Sequence, residues 1–338
     1  MNKTINTKPL NIIKLLRILY GFCFKYFVIF LIIGLFLLSY SQLQHIFSNS
    51  YILDVFIKKK GYSRKCLILL EDKDNIVSYL NSFYKANNSS SVILPVFLNN
   101  MPKNFNMVVD INKQKYVFIN ILLPFFVKME KELELERQKV VNISLKLLET
   151  PLSDEDYNDI RSLAYKYNVK IQNDEFWEYT QALEELLIRI DSIPISLSLA
   201  MAAKETGWGE SRFLIEGNSL FSEWTFSEND GIVPLQRAKK AKHLVKKFSS
   251  LEDAIRAYYM NINTHNAYKK FRDLRYKMRN DDARISSTRL AYTLQSYSAD
   301  PVNYPIALVA LINSNQLTQY DSFVSLNADF NSTCLRIN

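Results

Sequence analysis

Glycine is scarce in this chain, so its placement is informative. Of 7 glycines among 338 residues, Gly207, Gly209, Gly217 and Gly231 share one short window with Trp208 and Trp224, two of the 3 tryptophans. Glycine supplies left-handed turns and close backbone approach to a ligand. The window is entered through Ser196–Glu205, an apolar, small-residue stretch that predicts a helix ending on Glu205, with Gly207 as its stop. Ala202 and Ala203 permit close packing, so the last turn is expected to be buried. A carboxyl group there meets low dielectric and the negative end of the helix dipole, and both raise its pKa. Trp208 and Phe213 would add desolvation. A carboxylic acid held protonated near neutral pH suits protonation of a leaving glycosidic oxygen. The alternative is a structural glutamate paired with Lys204, Arg212 or a backbone amide, and position alone leaves both open.

The wording of the window narrows this. Ala203-Lys204-Glu205-Thr206-Gly207-Trp208-Gly209-Glu210-Ser211-Arg212-Phe213 resembles the E-[ST]-G-W-G-x-S signature of bacterial glucosaminidases that cut peptidoglycan. Gly217-Asn218-Ser219-Leu220-Phe221 is similar to that family's G-N-N-L-F block, and Phe248–Tyr258 to its third block. Asn263-Thr264-His265-Asn266-Ala267-Tyr268 and Tyr297-Ser298-Ala299-Asp300 resemble its Bax-type branch. The likeness covers residues 112–320, most strongly 183–304. It implies a lysozyme-like helical fold and hydrolysis of β-1,4 bonds after N-acetylglucosamine, with Glu205 as general acid and no cofactor or metal. A second catalytic carboxylate is expected in the segment 222–231, where Glu223, Glu228 and Asp230 are candidates and Glu223 is favoured for its nearness to Leu220-Phe221. The sugar's own acetamido group could also serve. The resemblance makes Tyr297 a candidate for orienting that group or a water, and gathers Trp208, Asn218, Phe221, Trp224, Tyr258 and Asp300 around the substrate. Structural readings stand beside these: a core Tyr258 and Tyr297, an Asp300 that caps before Pro301, and a hydrogen-bonded His265. Ser222 stands where the family commonly has Gly, and Ser219 where Asn is usual.

These residues need elements to hold them, and the sequence predicts mostly helices. A long helical pattern runs from Lys113 to Glu149, with a kink expected at Pro124. Its charged part, Lys128–Arg137, reads as a solvated face, with a partner-binding coiled coil as the alternative. Ser153 with Asp156 three positions on reads as a helix start. Helices follow near 174–190 and 195–205, parted by Pro194, and the pattern is helical from 250 almost to 320. Segment 217–236 reads as irregular, with a β-hairpin, and Val92–Leu98 as a short strand weakened by Pro95. The fold class expected is mainly α: a lysozyme-like α+β domain over 175–325 with a small β-hairpin lobe, after a helical lead-in over 111–174 and a less defined stretch over 45–110.

The front end reads differently. Residues 26–44 carry no charge, about the length a helix needs to cross a bilayer. The leader, residues 1–25, holds Lys3, Lys8, Lys14, Arg17 and Lys25, and no acid precedes Asp54. This predicts an inner-membrane signal anchor with the N-terminus inside and the remainder on the periplasmic side. A cleaved signal peptide, with Ser39-Tyr40-Ser41 near its end, is the other reading. The leader holds five of the charges behind the net +8, so the remainder is nearly balanced, against a nucleic-acid binder. The dense run from Arg237 to Lys247 reads as a solvated helix face, or as an attraction for stem-peptide carboxylates or anionic lipid. No Gly-rich phosphate loop is present, so no nucleotide partner is expected. With 3 cysteines a disulfide scaffold is excluded, and 3 histidines leave little room for a His-built zinc site. Cys66 and Cys334 are read either as a bridge or as unpaired thiols. The partners expected are glycan strands and the membrane. A lytic transglycosylase on the same fold type and a non-catalytic wall-binding scaffold are the rival readings.

Overall fold

The computed structural model describes residues 97–103, 105, 110–235, 242–281, 284–325 and 336–337. All lie in the second of two compact units, 1–64 and 65–338. The candidate anchor, the three cysteines and the core of the basic run, 236–241, fall outside the described residues. Among the described residues no helix is long and apolar enough to cross a membrane.

The domain is mainly helical. Helix α1 (Ile111–Lys146) is one 36-residue element through Pro124, capped by Asp110, whose side chain accepts from the Asn112 and Lys113 amides. Its middle, Val117–Val127, is buried on every side, so it runs through the core rather than over it. Helix α2 (Asp154–Lys166) opens on the capping box that Ser153 and Asp156 predict. Helix α3 (Phe176–Arg189) leads by a short turn to α4 (Ile195–Thr206), whose residues Ile195–Ala203 are all buried. Small side chains at Ser196, Ser198, Ala200 and Ala202 let neighbours close around α4. Then come α5 (Arg212–Gly217), α6 (Leu251–Thr264), α7 (Lys269–Asn280), α8 (Ser287–Ala291) and α9 (Asn303–Ser314). Helix α4 packs against α1, α8, α9 and the terminal 3-10 helix Leu317–Ser325.

Two expectations need correction. The charged stretch of α1 is not a merely solvated face. Arg256 grips Glu132 through two bonds of 2.6 and 2.8 Å, Lys128 meets Glu252 at 2.7 Å, and Lys166 meets Glu136 at 2.5 Å. The charges therefore fasten α1 to α6 and α2, since the helix is ringed by neighbours there. The lobe is also more than a hairpin. It is a three-stranded antiparallel sheet in which β4 (Leu244–Lys246) lies between β2 (Trp224–Thr225) and β3 (Gly231–Ile232). Its central strand comes from the basic run read as helix. Leu244 and Val245, adjacent and therefore on opposite faces of the strand, are both buried there. Of the strand expected over Val92–Leu98, the described part is β1 (Phe97–Leu98), which pairs in parallel with β5 (Arg336–Ile337).

Candidate active site

Helix α4 ends as its sequence dictates. Gly207 takes φ 58°, Trp208 follows at 58° and Gly209 at 98°, so the chain reverses sharply beyond Glu205. A Cβ on Gly209 would stand 2.5 Å from the Phe105 ring, which leaves glycine as the residue that fits. Thr206 locks the turn: its hydroxyl donates to the Ala202 carbonyl at 2.6 Å and accepts from the Gly209 amide at 3.1 Å.

Glu205 is half-buried at this helix end. Burial pushes its carboxyl above the usual carboxylate range; hydroxyl groups of Tyr304 and Ser222 and the charge of Lys204 oppose the shift without cancelling it. The Tyr304 hydroxyl donates to Oε1 at 2.9 Å. The structural alternatives for Glu205 go elsewhere: Arg212 pairs with Glu216 at 2.9 Å, and Lys204 is exposed.

The lobe supplies a second carboxylate. Glu223 is largely buried, and burial raises its pKa too, against the attraction of Lys246, whose Nζ is 3.8 Å from Oε2. Its Oε1 is buried with no hydrogen-bond partner. Lys246 on β4 holds the backbone as well, donating its amide to the Glu223 carbonyl at 2.7 Å. Glu228 and Asp230 sit exposed at the turn, where Ser227 donates to Asp230. Both Glu205 and Glu223 act electrostatically on the hydroxyl groups of Tyr268 and Tyr297, so the two carboxylates converge on one aromatic floor.

That floor explains several other residues. The Tyr297 ring stacks on Tyr304 at 5.5 Å, and its hydroxyl donates to the Phe221 carbonyl at 2.9 Å. Phe221 in turn lies flat on Tyr258, with ring centres 3.9 Å apart. Tyr258 is fully buried, its hydroxyl near Ser198 and the Met201 sulfur. Asn218 is buried in a left-handed conformation, and its amide donates to Asn100 at 2.8 Å and to the Phe248 carbonyl at 3.2 Å. Trp208 is buried against Phe118 and under Lys115. Phe221, Tyr258, Asn218 and Trp208 are all buried. Trp224 is exposed and stacks on His243 with ring centres 4.4 Å apart. Asp300 is exposed and caps α9, accepting from the Asn303 amide at 3.1 Å and its side chain at 2.9 Å. His265 accepts from the Ala267 amide at 3.2 Å, as a structural histidine should.

Sequence reasoning missed Tyr304. The available signal was one aromatic with a polar tip on the buried side of an otherwise apolar α9, seven residues beyond Tyr297.

Residues 180–317 match the family described as glucosaminidase, mannosyl-glycoprotein endo-beta-N-acetylglucosaminidase. Protein bax of Escherichia coli (strain K12) is 28% identical over 208 residues, covering 60% of this chain and 70% of that protein. No solved structure gives a match. The domain built around Glu205 thus matches the glucosaminidase family, and the chain is similar to a Bax protein.

Proposed function

We propose that this protein is a peptidoglycan hydrolase that cleaves the β-1,4 glycosidic bond after N-acetylglucosamine, with Glu205 as general acid. The observation that carries this is the half-buried carboxyl at the end of α4, hydrogen-bonded by Tyr304 and pushed by burial toward its protonated form, with a second desolvated carboxylate, Glu223, acting on the same tyrosines. In the reaction, Glu205 gives its proton to the glycosidic oxygen as the bond from that oxygen to the anomeric carbon breaks. Water supplies its oxygen to the anomeric carbon and one proton to the Glu223 carboxylate, which burial makes more basic than an exposed glutamate. Trp224, exposed on the lobe, offers a flat apolar face for a sugar ring. Tyr297, hydrogen-bonded to the Phe221 carbonyl, sets the position of the loop between the carboxylates.

Glu205→Gln keeps shape and hydrogen bonding but has no proton to give. Turnover of purified peptidoglycan is expected to fall by at least about 10²-fold with the fold intact. Wild-type rates in the Gln variant would overturn the reading. Mass spectrometry of the products separates hydrolysis, which leaves reducing ends, from a transglycosylase, which leaves anhydro-sugar ends.

The reading includes a place of action. The charge-free run 26–44 behind a basic leader supports a single-pass anchor in the cytoplasmic membrane, with the domain on the outer, periplasmic side. A reporter active only outside that membrane, fused after residue 338, is expected to be active. Replacing Lys14, Arg17 and Lys25 with acids should reduce insertion. Reporter activity confined to the cytoplasm would sink the assignment.

A further inference from the structure

The basic run from Arg237 to Lys247 gives one of its charges to the lobe. Lys246 ends β4, the central strand, and its backbone is tied on both sides. Its amide donates to the Glu223 carbonyl at 2.7 Å, and across the other ladder it pairs with Gly231 of β3. Just beyond the strand, the Lys247 amide donates to the Asp230 carbonyl at 2.7 Å and the Phe248 amide to the Gly217 carbonyl at 2.9 Å. The Lys246 side chain is half-buried, whereas Lys247 is exposed. Its ammonium group lies 4.8 Å from the centre of the Phe248 ring and 3.8 Å from Oε2 of Glu223. Glu223 has few other partners. Its side chain is largely buried, its Oε1 has no hydrogen-bond partner, and among the described residues Lys246 is the one cation that pairs with it.

We propose that Lys246 is a positioning residue for Glu223: its ammonium group, carried on the fixed end of β4 and resting over the Phe248 ring, pairs with Oε2 and keeps the buried carboxyl group in the charged form that a base needs. This rests on the reading of Glu223 as the base. A carboxyl group that already holds a proton cannot take the one that water gives up. Burial pushes Glu223 toward that idle state, and the charge of Lys246 pulls it back. The other ionisable groups around it bring no positive charge. Tyr268 and Tyr297 stand in two 3-10 turns, and Glu205 at the end of α4 acts on the same tyrosines. Asp230, at the turn of the lobe, accepts from the Ser227 hydroxyl at 3.1 Å.

Two substitutions separate the charge from the strand. Lys246→Met keeps a side chain of similar length and removes the charge, and the backbone bonds of β4 do not depend on either. Lys246→Arg keeps the charge. The Glu223 titration is read by carbon-13 NMR of glutamate carboxyl groups in the full-length protein, with its signal identified by loss in Glu223→Gln. The Met variant is expected to titrate at higher pH than wild type, and the Arg variant to return toward it. The low-pH limb of the kcat/KM profile should move up in the Met variant as well, because a base with a raised pKa is protonated sooner as pH falls. A lysine that merely braced the sheet would change the melting temperature and leave both midpoints in place. In the wild type, added salt screens the partly exposed ammonium group and should also raise the Glu223 midpoint. A midpoint unmoved in Lys246→Met, or unmoved by salt should that variant fail to fold, overturns the proposal. The titration needs no turnover, so wild-type rates in Glu223→Gln sink the base assignment, and unmoved midpoints sink Lys246 alone.

Discussion

Three carboxylates in the segment 222–231 have the same chemistry in sequence and different surroundings in the fold. Glu223 is desolvated, faces Lys246 at 3.8 Å and keeps one oxygen without a partner, whereas Glu228 and Asp230 are exposed. A base that must take a proton from water works from a rigid, partly dry position. Glu223→Gln is therefore expected to lower turnover more than about tenfold, while Glu228→Gln and Asp230→Asn stay near wild type. The triple variant should be no slower than Glu223→Gln alone. Equal turnover in all four would leave the sugar's acetamido group to do this work. The place of Glu205, at the end of a buried helix, was legible in the sequence because its determinants are local: an apolar helix and a Gly stop. Glu223 could only be favoured there, because what desolvates it includes a strand twenty residues further on. Tyr304 was illegible for the same reason, being 99 residues away from the carboxylate it touches.

At the scale of elements, legibility followed the same rule. Helix starts with side-chain caps close by, such as Ser153, were readable, and so was the end of α4 at Gly207. Its start was not. Pro194 provides no side-chain cap, and Asp191, the acid nearest in sequence, is taken by Arg279 and Arg275. The cap arrives instead from the terminal 3-10 helix: Asp321 accepts from the Ser196 amide and hydroxyl, both at 2.8 Å. Helix α4 is thus pinned at its N-terminus by a residue 125 positions away and carries Glu205 at the other end. Asp321→Ala would leave two donors of a fully buried serine unpartnered, at a cost of about 2–3 kcal/mol. For a domain of this size that is a fall of about 4–10 °C in melting temperature. A melting temperature within a degree or so of wild type, by calorimetry, would show that the cap contributes little.

Across the whole domain, helices α1, α3, α6 and α7 meet around buried charge, and composition gave no sign of it. Arg275 is fully buried on α7 and donates to the carbonyls of Ile188, Arg189, Asp191 and Ser192, closing the C-terminal end of α3. Asp191 lies among Arg275, Arg279 and Arg137; burial alone would raise its pKa, but the three guanidinium groups outweigh it and hold the carboxyl below its usual range. Glu130 on α1 fares otherwise. Burial pushes it up to about 8, the charge of Asp191 adds to this, and the Tyr259 hydroxyl and Ile193 amide, bonded to Oε1 at 2.8 and 3.1 Å, oppose it without prevailing.

The sign of the pH effect follows from Glu130. Its ordinary value is 4.5, so between that pH and about 8 the unfolded chain has lost a proton that the folded domain keeps. Stability falls with pH wherever the unfolded state binds fewer protons. The contribution of Glu130 is thus fully present below about pH 4.5 and gone above about pH 8. Asp191 works at the opposite end: its depressed pKa contributes stability at neutral pH that is lost as acid protonates it. Glu130→Gln keeps the Oε1 acceptor for Tyr259 and Ile193 and removes the titration. Urea unfolding at several pH values between about 5 and 8 should show wild-type stability declining, and the Gln variant declining less. Glu205 and Glu223, also raised by burial, remain in both proteins and account for the residual slope. If both proteins lose stability at the same rate across that range, Glu130 is charged in the folded domain and Arg275 balances it.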